Sequence, residues 1–305
     1  MTKIYLYQNR SSQAPPWPPL RQTFLGAGYA LGKNFHFVVD ETTDADYLLS
    51  IADGTTPVCS SNVPRKRRIV ILMENPAIWT PPQNYLDYFG VVLSPTEVQV
   101  LEGTRLVLTQ PAVNWFYGLK FRTDRGLSHE PVLEDYLRLD DLAELPMPQK
   151  TRLLSCVVSN KSGTRGHNWR IETAIALKAH FGEQIDMFGF GWNPIADKRD
   201  AIDPYLHTIV IENECRENYW TEKLSDAILG YSQPIYAGAS NVGSYFTHDF
   251  PVLEYGISSD QFVASVSRAL ESGPAAVALY ERRNQVMYEH NLFYHVARLI
   301  ECGAV

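Results

Sequence analysis

A polar stretch in the second half of the chain carries side chains suited to holding an anion. It follows an apolar run at residues 208–211 that is typical of a buried strand. The side chains of interest are Glu212, Asn213, Tyr219, Thr221, Glu222 and Lys223. Lys223 would stand beside the free backbone N–H groups that begin a helix, and such a helix start attracts phosphate. The stretch therefore predicts a phosphate-binding site.

The elements on either side would hold these residues in place. Residues 224–231 have apolar side chains at helical spacing, so they predict a helix with one buried face. Thr221 is a natural N-cap for this helix, and Glu222 suits the positive end of its dipole. Residues 234–236 then return as a second buried strand, which completes a βαβ unit. An ordinary βαβ unit whose loop happens to be polar is the alternative interpretation.

The same residues resemble a known family signature. Glu-Asn, a spacer, a tyrosine and then Thr-Glu-Lys before an apolar helix resemble the donor site of glycosyltransferase family 10, the α-1,3- and α-1,4-fucosyltransferases. One departure is visible, since Ile211 stands where the family usually has phenylalanine. The run at residues 157–160, followed by Arg170, is also similar to the family's donor domain. The resemblance covers residues 155–250 well and residues 69–93 more thinly.

The resemblance implies an α/β fold of the GT-B type, with two Rossmann-like domains facing a central cleft. Residues 1–145 would form the acceptor-binding domain and residues 146–275 the domain that binds the GDP-sugar donor. Residues 276–305 would form a C-terminal helix that crosses back to the first domain. A length of 305 residues independently favours two domains.

The resemblance also implies roles for individual side chains. The donor-binding set is Arg165, Arg170, Asn213, Tyr219, Glu222 and Lys223. Arg170 and Lys223 would stabilise charge growing on the GDP leaving group, and Tyr219 would donate to a phosphate. Asn213 and Glu222 would contact sugar hydroxyls. Arg165 is a rival of Arg170 for the diphosphate contact.

Glu74 is the candidate catalytic acid-base residue in the first half. It follows the strand predicted at residues 69–73, and the carboxyl ends of strands in open α/β sheets face the ligand crevice. A capping or turn role is the alternative. Family members place a general base after a similar strand, so the resemblance implies that role for Glu74, with Asn75, Trp79 and Tyr85 near the acceptor. Simple packing is the alternative for the two aromatic residues.

The function that follows is inverting transfer of L-fucose from GDP-fucose to a hydroxyl of an oligosaccharide or glycolipid, α-1,3 to GlcNAc or Glc of a lactosamine-like glycan. An inverting transferase that uses another nucleotide sugar, for surface polysaccharide synthesis, and a catalytically silent glycan-binding module are alternatives. We expect no cofactor and no metal site, while dependence on a divalent cation is left open. Asp44 and Asp46 form a DxD pair, but they precede the strand predicted at residues 47–51, which indicates an acidic turn.

Composition limits the other partners. The net charge of −7 gives no basic footprint for nucleic acid. The cysteines are scattered, at Cys59, Cys156, Cys215 and Cys302, which is typical of a reducing compartment rather than a disulfide scaffold. No apolar run approaches the length of a membrane span, and the N-terminus is too polar for a signal peptide. We expect a cytoplasmic protein, with peripheral attachment to the inner membrane as an alternative.

Further elements complete the predicted chain. Helices are expected at residues 20–31, at residues 170–181 with Asn168 as cap, and in part of the polar segment 123–150, at residues 134–142. Two closing helices are expected at residues 258–271 and 275–300.

Overall fold

The chain divides into two units, each built on a parallel β-sheet. The computed structural model describes residues 1–7, 20–39, 44–52, 62–74, 79, 81–112, 114–122, 131–271, 273 and 275–305, with backbone alone at 133–134. Unit 1 comprises Met1–Asn114, Leu137–Glu144 and Met287–Val305, and unit 2 comprises Trp115–Tyr136 and Leu145–Val286. These bounds differ from the predicted domains 1–145, 146–275 and 276–305, which stay a prediction.

The described residues contain the following regular elements. The strands are β1 Thr2–Tyr7, β2 Tyr29–Ala30, β3 Phe35–Val38, β4 Tyr47–Ala52, β5 Arg68–Leu72, β6 Val91–Ser94, β7 Arg105–Leu108, β8 Leu119–Phe121, β9 Pro131–Tyr136, β10 Arg152–Val157, β11 Ile185–Phe188, β12 Tyr205–Ile211 and β13 Gln233–Ala237. The helices are α1 Gln83–Leu86, α2 Leu139–Glu144, α3 Arg165–Phe181, α4 Arg199–Ile202, α5 Glu222–Leu229, α6 Ser259–Ala269, α7 Ala276–Gln285 and α8 Leu292–Glu301.

Unit 1 has a sheet in the order β2-β3-β1-β4-β5-β6-β7 within its described residues. The pairs from β3 to β7 are parallel, and the short β2 is antiparallel to β3. The central strands are near-continuous apolar runs, as expected where both faces of a parallel sheet are covered. Residues 69–72 of β5 are all buried. The residues that follow the carboxyl ends of β5 and β6 are therefore the ones that can reach a ligand.

Unit 2 has a parallel sheet in the order β11-β10-β12-β13, and a separate antiparallel pair, β8 with β9. The strand β12 pairs with both β10 and β13, so its carboxyl end lies in the middle of the sheet edge. Helices α3 and α6 pack on each other and share a core with the sheet, formed by residues such as Leu177, Ile209 and Phe262. The βαβ unit expected at β12-α5-β13 is confirmed.

The helix expected at residues 20–31 is wrong. Leu25, Gly26, Gly28 and Leu31 have positive φ angles of 54°, 66°, 85° and 48°, which no right-handed helix can contain. The Gly28 N–H donates to Thr23 Oγ1 at 2.8 Å, so the segment is a series of turns that ends in β2. Gly26 and Gly28 allow the turns, because glycine adopts positive φ angles without strain. The helix had been predicted only from the spacing of the apolar residues in this segment.

Helix α3 begins earlier than the sequence suggested. Thr164 is its N-cap, with Oγ1 accepting from the backbone N–H of His167 at 3.2 Å, so Asn168 lies within the helix. Arg170 is consequently in the second turn, and it is Arg165 that occupies the first position.

Two other helix predictions also change. Residues 131–136 form the strand β9, and the helix beyond it is α2, so the helix expected at 134–142 is only partly present. The single helix expected at 275–300 is divided into α7, a π-helical segment Val286–His290 and α8. Asn291 causes the break, because its backbone is extended and its Oδ1 accepts from the N–H groups of Phe293 and Tyr294.

The structure confirms the α/β class and its parallel sheets. The GT-B type is defined by two domains that face each other across a cleft, and this arrangement stays a prediction. The expected acidic turn is consistent with the contacts of the DxD pair: Asp46 accepts from the Lys3 backbone N–H at 2.8 Å, and Asp44 pairs with the Lys3 ammonium. In the described part of the chain, no helix has the length and apolar character needed to cross a membrane.

Candidate functional site

Glu212 is the centre of a buried polar cluster in unit 2. It follows β12 directly, is fully buried, and its backbone N–H still bonds to Ala237 of β13 at 2.9 Å. Its carboxylate accepts from the Thr221 N–H at 2.8 Å and from Thr221 Oγ1 at 3.0 and 2.9 Å. The Lys223 ammonium lies 3.2 Å from the second carboxylate oxygen. Glu212 therefore ties the end of β12 to the start of α5.

The N-cap of α5 is used in an unusual way. Thr221 occupies the N-cap position as predicted, but its side chain makes no capping hydrogen bond because it is turned onto Glu212. The first N–H groups of α5 consequently have no side-chain acceptor in the described residues. Free N–H groups at the positive end of a helix attract anions.

The charges around Lys223 keep it protonated. Burial lowers the pKa of its ammonium, but Glu212 and Glu222 outweigh burial, so the net pKa is raised. For Glu222, burial raises the pKa of the carboxyl group, while Lys223 and Lys198 bring it down to about 2. Lys223 and Glu222 keep 19% and 15% of their side-chain surface exposed, so a ligand can reach both. A fixed ammonium beside a helix start is thus available at neutral pH.

Arg170 brings a second cation to the same end of β12. The residue is 5% exposed, and its Nη1 donates to Asn213 Oδ1. Its Nε is buried without a hydrogen-bond partner in the described part of the chain. Such an unsatisfied donor on a charged group is costly unless a further acceptor arrives. Arg165 lies five residues earlier, about 140° around the helix, and is exposed. The two arginines are therefore not equivalent, and the structure brings Arg170, not Arg165, to Asn213.

Helix α3 approaches the Asn213 loop closely because residue 166 is glycine. A Cβ built on Gly166 would lie 1.9 Å from the carbonyl oxygen of Asn213. The same holds on the other side of the cluster, where a Cβ on Gly238 would lie 2.6 Å from Glu212 Cγ. Both glycines let backbone or side chains meet at distances that any larger residue would prevent.

The pKa of His167 reflects the positive charges of the cluster. Burial lowers the pKa of its imidazole, and the positive charges of Arg170, Lys161 and Lys223 lower it further. The imidazole is therefore neutral at neutral pH. A field that disfavours an added positive charge favours a bound negative one.

Asn218 and Asn241 hold the loop between Glu212 and α5. The Asn218 N–H donates to Asn241 Oδ1 at 2.7 Å, and Asn241 Nδ2 returns a bond to Asn218 Oδ1 at 2.8 Å. Tyr219 follows and is only 2% exposed, with Trp220 equally buried beside it. The loop thus has a fixed path, and the role of Tyr219 at a phosphate stays a prediction.

Asp226 anchors α5 from its buried face. Its Oδ1 accepts from the backbone N–H groups of Phe116 and Tyr117 at 2.7 and 2.8 Å, and its Oδ2 pairs with the Lys198 ammonium. Burial raises the pKa of this carboxyl group, and Lys198 opposes the rise. Together with the buried side chain of Leu224, these contacts fix the helix that carries Lys223.

Unit 1 has a cavity of about 340 Å³ at the carboxyl ends of the neighbouring strands β5 and β6. Glu74 and Trp79 are on its wall, and their roles at an acceptor site stay a prediction. Glu74 is exposed, two residues beyond β5. This volume falls within the range of small-ligand sites. An aromatic ring beside carboxylates is a common arrangement for sugars.

Tyr85 and Asn75 are the other two residues that were predicted to lie near the acceptor. Tyr85 is 2% exposed, lies in the core, and its hydroxyl is 3.3 Å from Ser50 Oγ, so it is not on the cavity wall. Its ring supports Trp79 edge-on, with centroids 6.4 Å apart. Asn75 lies outside the described residues.

Sequence reasoning missed several residues. Glu97 and Thr96 follow β6 and line the cavity with Glu74. Thr96 Oγ1 is buried and has no hydrogen-bond partner among the described residues. In unit 2, Glu212 was recognised only as part of a motif and not as the hub of the cluster. Its position directly after β12 was the available signal, because strand ends meet at the sheet edge.

Comparison with known proteins gives matches in structure only. No protein-family model matches the chain, and no curated protein matches it in sequence. One similar solved structure is an α1,3-fucosyltransferase with GDP-fucose, with 14% identity, a TM-score of 0.49, and coverage of 99% of this chain and 89% of that chain. Another is an α1,3-fucosyltransferase with GDP, with 16% identity, a TM-score of 0.47, and coverage of 95% and 82%. A likeness at this level establishes neither a family nor an activity for this chain.

Proposed function

We propose that the protein is a glycosyltransferase that moves L-fucose from GDP-fucose to a hydroxyl of a glycan, with inversion at the anomeric carbon. The observation that carries this proposal is the Glu212 cluster. It presents a charged Lys223, uncapped N–H groups of α5 and the buried Arg170 at one edge of a parallel sheet. These are the groups that bind a diphosphate and stabilise it as a leaving group.

The choice of donor depends on the sequence motif as well as on the chemistry. The order of residues from Glu212 to Lys223 resembles the donor signature of the fucosyltransferases in glycosyltransferase family 10. A phosphate site alone would fit any nucleotide sugar. Asn213 and Glu222 stand beside the cations and would receive the sugar hydroxyls. GDP-fucose is therefore our proposal for the donor, and the other GDP- and UDP-sugars are its rivals.

The cavity of unit 1 supplies the acceptor side of the proposal. Trp79 offers a ring face for a sugar, and Thr96 offers an unsatisfied hydroxyl. Glu74 would accept the proton of the attacking hydroxyl while the new bond forms between that oxygen and the anomeric carbon. The bond from the anomeric carbon to the diphosphate breaks in the same step, and its electron pair leaves with GDP. Arg170 and Lys223 would hold the charge that appears there.

The test is GDP release from GDP-fucose, measured with and without a panel of lactosamine-type acceptors. We expect acceptor-stimulated release by the wild type. In Glu74→Gln we expect kcat to fall by about 10²-fold or more, because general-base catalysis contributes at least that much. GDP affinity, measured separately by calorimetry, should be unchanged in this variant.

Glu97→Gln is the matched control. It removes the other carboxylate from the same cavity, so we expect a change in acceptor KM while kcat is retained. Equal loss of kcat in both variants would contradict the assignment of Glu74 as base. Absence of GDP-fucose binding would contradict the donor, and the other nucleotide sugars would then be measured.

A further inference from the structure

Unit 2 has a second cavity, of about 370 Å³, at the opposite edge of its sheet. Gln233, the first residue of β13, lies on the wall, whereas Glu212 bonds to Ala237 at the other end of that strand. The five residues of β13 span about 13 Å. The cavity is thus distinct from the Glu212 cluster, and the proposed transfer reaction makes no use of it.

Arg282 is a buried cation on the wall of this cavity. It is 1% exposed, its Nη1 donates to the Asp249 carbonyl at 2.7 Å, and its Nη2 donates to Gln233 Oε1. Its Nε has no hydrogen-bond partner, and no carboxylate forms an ion pair with it, within the described residues. A buried charge without a counter-ion is strongly disfavoured. Burial accordingly lowers the pKa of the guanidinium to about 10, against the opposing charge of Asp249.

The start of α7 opens into the same cavity. Ala275 is its N-cap and makes no side-chain capping bond, and the first turn contains no acidic residue. Ala275, Ala278 and Arg282 line the cavity at helical spacing, so they share one face of α7. Because side chains on a helix lean towards its N-terminus, Arg282 extends in the direction of the N–H groups that begin α7.

We propose that this cavity binds the phosphate group of a small phosphate monoester. The phosphate would pair with Arg282 and accept from the first N–H groups of α7, which together offer more donors than a carboxylate can use. Phe250 and Pro251 provide an apolar wall for the rest of the molecule. At the rim, His248 is already paired with Glu281. The exposed carboxylate of Asp249 adds a negative charge there, which limits the negative charge that a bound ligand can carry.

The probes are inorganic phosphate and phenyl phosphate, with binding measured by calorimetry and thermal shift. Arg282→Gln is the direct variant, but it weakens two structural hydrogen bonds and risks misfolding. Ala278→Glu avoids this, because it leaves Arg282 in place and adds a carboxylate one turn before it, where the two can pair. Val277→Glu is the matched control, since it adds the same charge to the same turn at a side chain that is 64% exposed and not on the wall.

We expect Ala278→Glu to weaken phosphate binding at least tenfold and to raise the melting temperature without phosphate, whereas Val277→Glu changes the affinity less than threefold. Failure of the wild type to bind either probe would overturn the proposal. So would equal affinities in the two variants, because binding would then occur elsewhere, as at Lys223. Benzoate is the last comparison: affinity equal to that of phenyl phosphate would overturn the choice of phosphate.

Discussion

The carboxylates of Glu212 and Glu222 stabilise the charge of Lys223. Glu212 is buried and accepts from both Thr221 and Lys223, so it positions the ammonium while it keeps the pKa of that group raised. Removal of one member of such a pair leaves the other charge uncompensated, which costs about 3–5 kcal/mol when both are fully buried. The partial exposure of Lys223 makes the cost smaller here.

The first prediction concerns Lys223 itself. Lys223→Ala removes the only ammonium that Glu212 contacts in the described residues, and we expect GDP affinity to fall by about 10- to 100-fold, as for loss of a charge-assisted hydrogen bond. Calorimetric titration with GDP measures the change. Lys120→Ala is the control, since Lys120 forms an exposed pair with Asp135 in the same unit. An unchanged affinity in Lys223→Ala would remove the phosphate role.

The sequence predicted which residues form this cluster but not which of them contact each other. Glu212, Thr221 and Lys223 were read as neighbours in a motif, and the N-cap role of Thr221 follows from local rules. That Thr221 turns its hydroxyl onto Glu212 depends on where β12 ends relative to α5. The distance between the end of β12 and the start of α5 is set by tertiary packing, so no local sequence rule could predict it.

Helices α3 and α5 carry the cations of the cluster, and each is fixed by its contact with a segment outside the helix. Thr164 and Gly166 place the start of α3 against the Asn213 loop. Asp226 ties α5 to the segment at residues 116–117. The position of each cation therefore depends on contacts made by residues that do not bind a ligand.

A pair of glycine variants tests the position of α3. In Gly166→Ala the new methyl group would lie 1.9 Å from the Asn213 carbonyl oxygen, so the helix must move. We expect a loss of about 2 kcal/mol or more in the free energy of unfolding, together with weaker GDP binding. Urea denaturation measures the first and calorimetry the second.

Gly163→Ala, just before the start of α3, is the control. A Cβ there meets only His167 Nδ1, at 3.9 Å. We expect the free energy of unfolding to stay within about 0.5 kcal/mol of the wild type. If both variants behaved alike, the close approach at Gly166 would not position α3.

The elements themselves were predicted with uneven success. Strands β4, β5, β12 and β13 and the α5 helix follow from apolar runs and spacing, which persist because the sheets are covered on both faces. The helix expected at residues 20–31 failed because Leu25 and Leu31 adopt positive φ angles in turns. Apolar spacing cannot reveal such angles in residues that are not glycine.

At the scale of the whole molecule, buried histidines make stability depend on pH. Burial lowers the pKa of His295 to about 3, and the charges of His290 and Arg298 add to the effect. The imidazole Nε2 lies 2.9 Å from Thr109 Oγ1. Because the folded pKa is below the unfolded value of 6.5, the unfolded chain binds the proton first as pH falls. Stability is therefore complete above pH 6.5 and is lost progressively towards pH 3.

His295→Gln tests this dependence, since glutamine keeps a hydrogen-bonding group and does not titrate. Between pH 7 and pH 5 we expect the wild type to lose about 1–2 kcal/mol more than the variant in the free energy of unfolding. Urea denaturation at both values measures the difference. His167 and His207, whose pKa values are also lowered by burial, contribute equally to both proteins. Identical slopes would show that His295 does not carry the effect.

By itself, the sequence determined the βαβ unit from β12 to β13 and which polar residues follow the strands. Both result from local spacing and from the rule that parallel strands end at one edge. The tertiary structure alone decided that Tyr85 belongs to the core, that Glu97 shares a cavity with Glu74, and that the Nε of the buried Arg282 has no hydrogen-bond partner among the described residues. Each of these facts concerns residues distant in sequence, whose contacts are set when the apolar faces of the elements pack together.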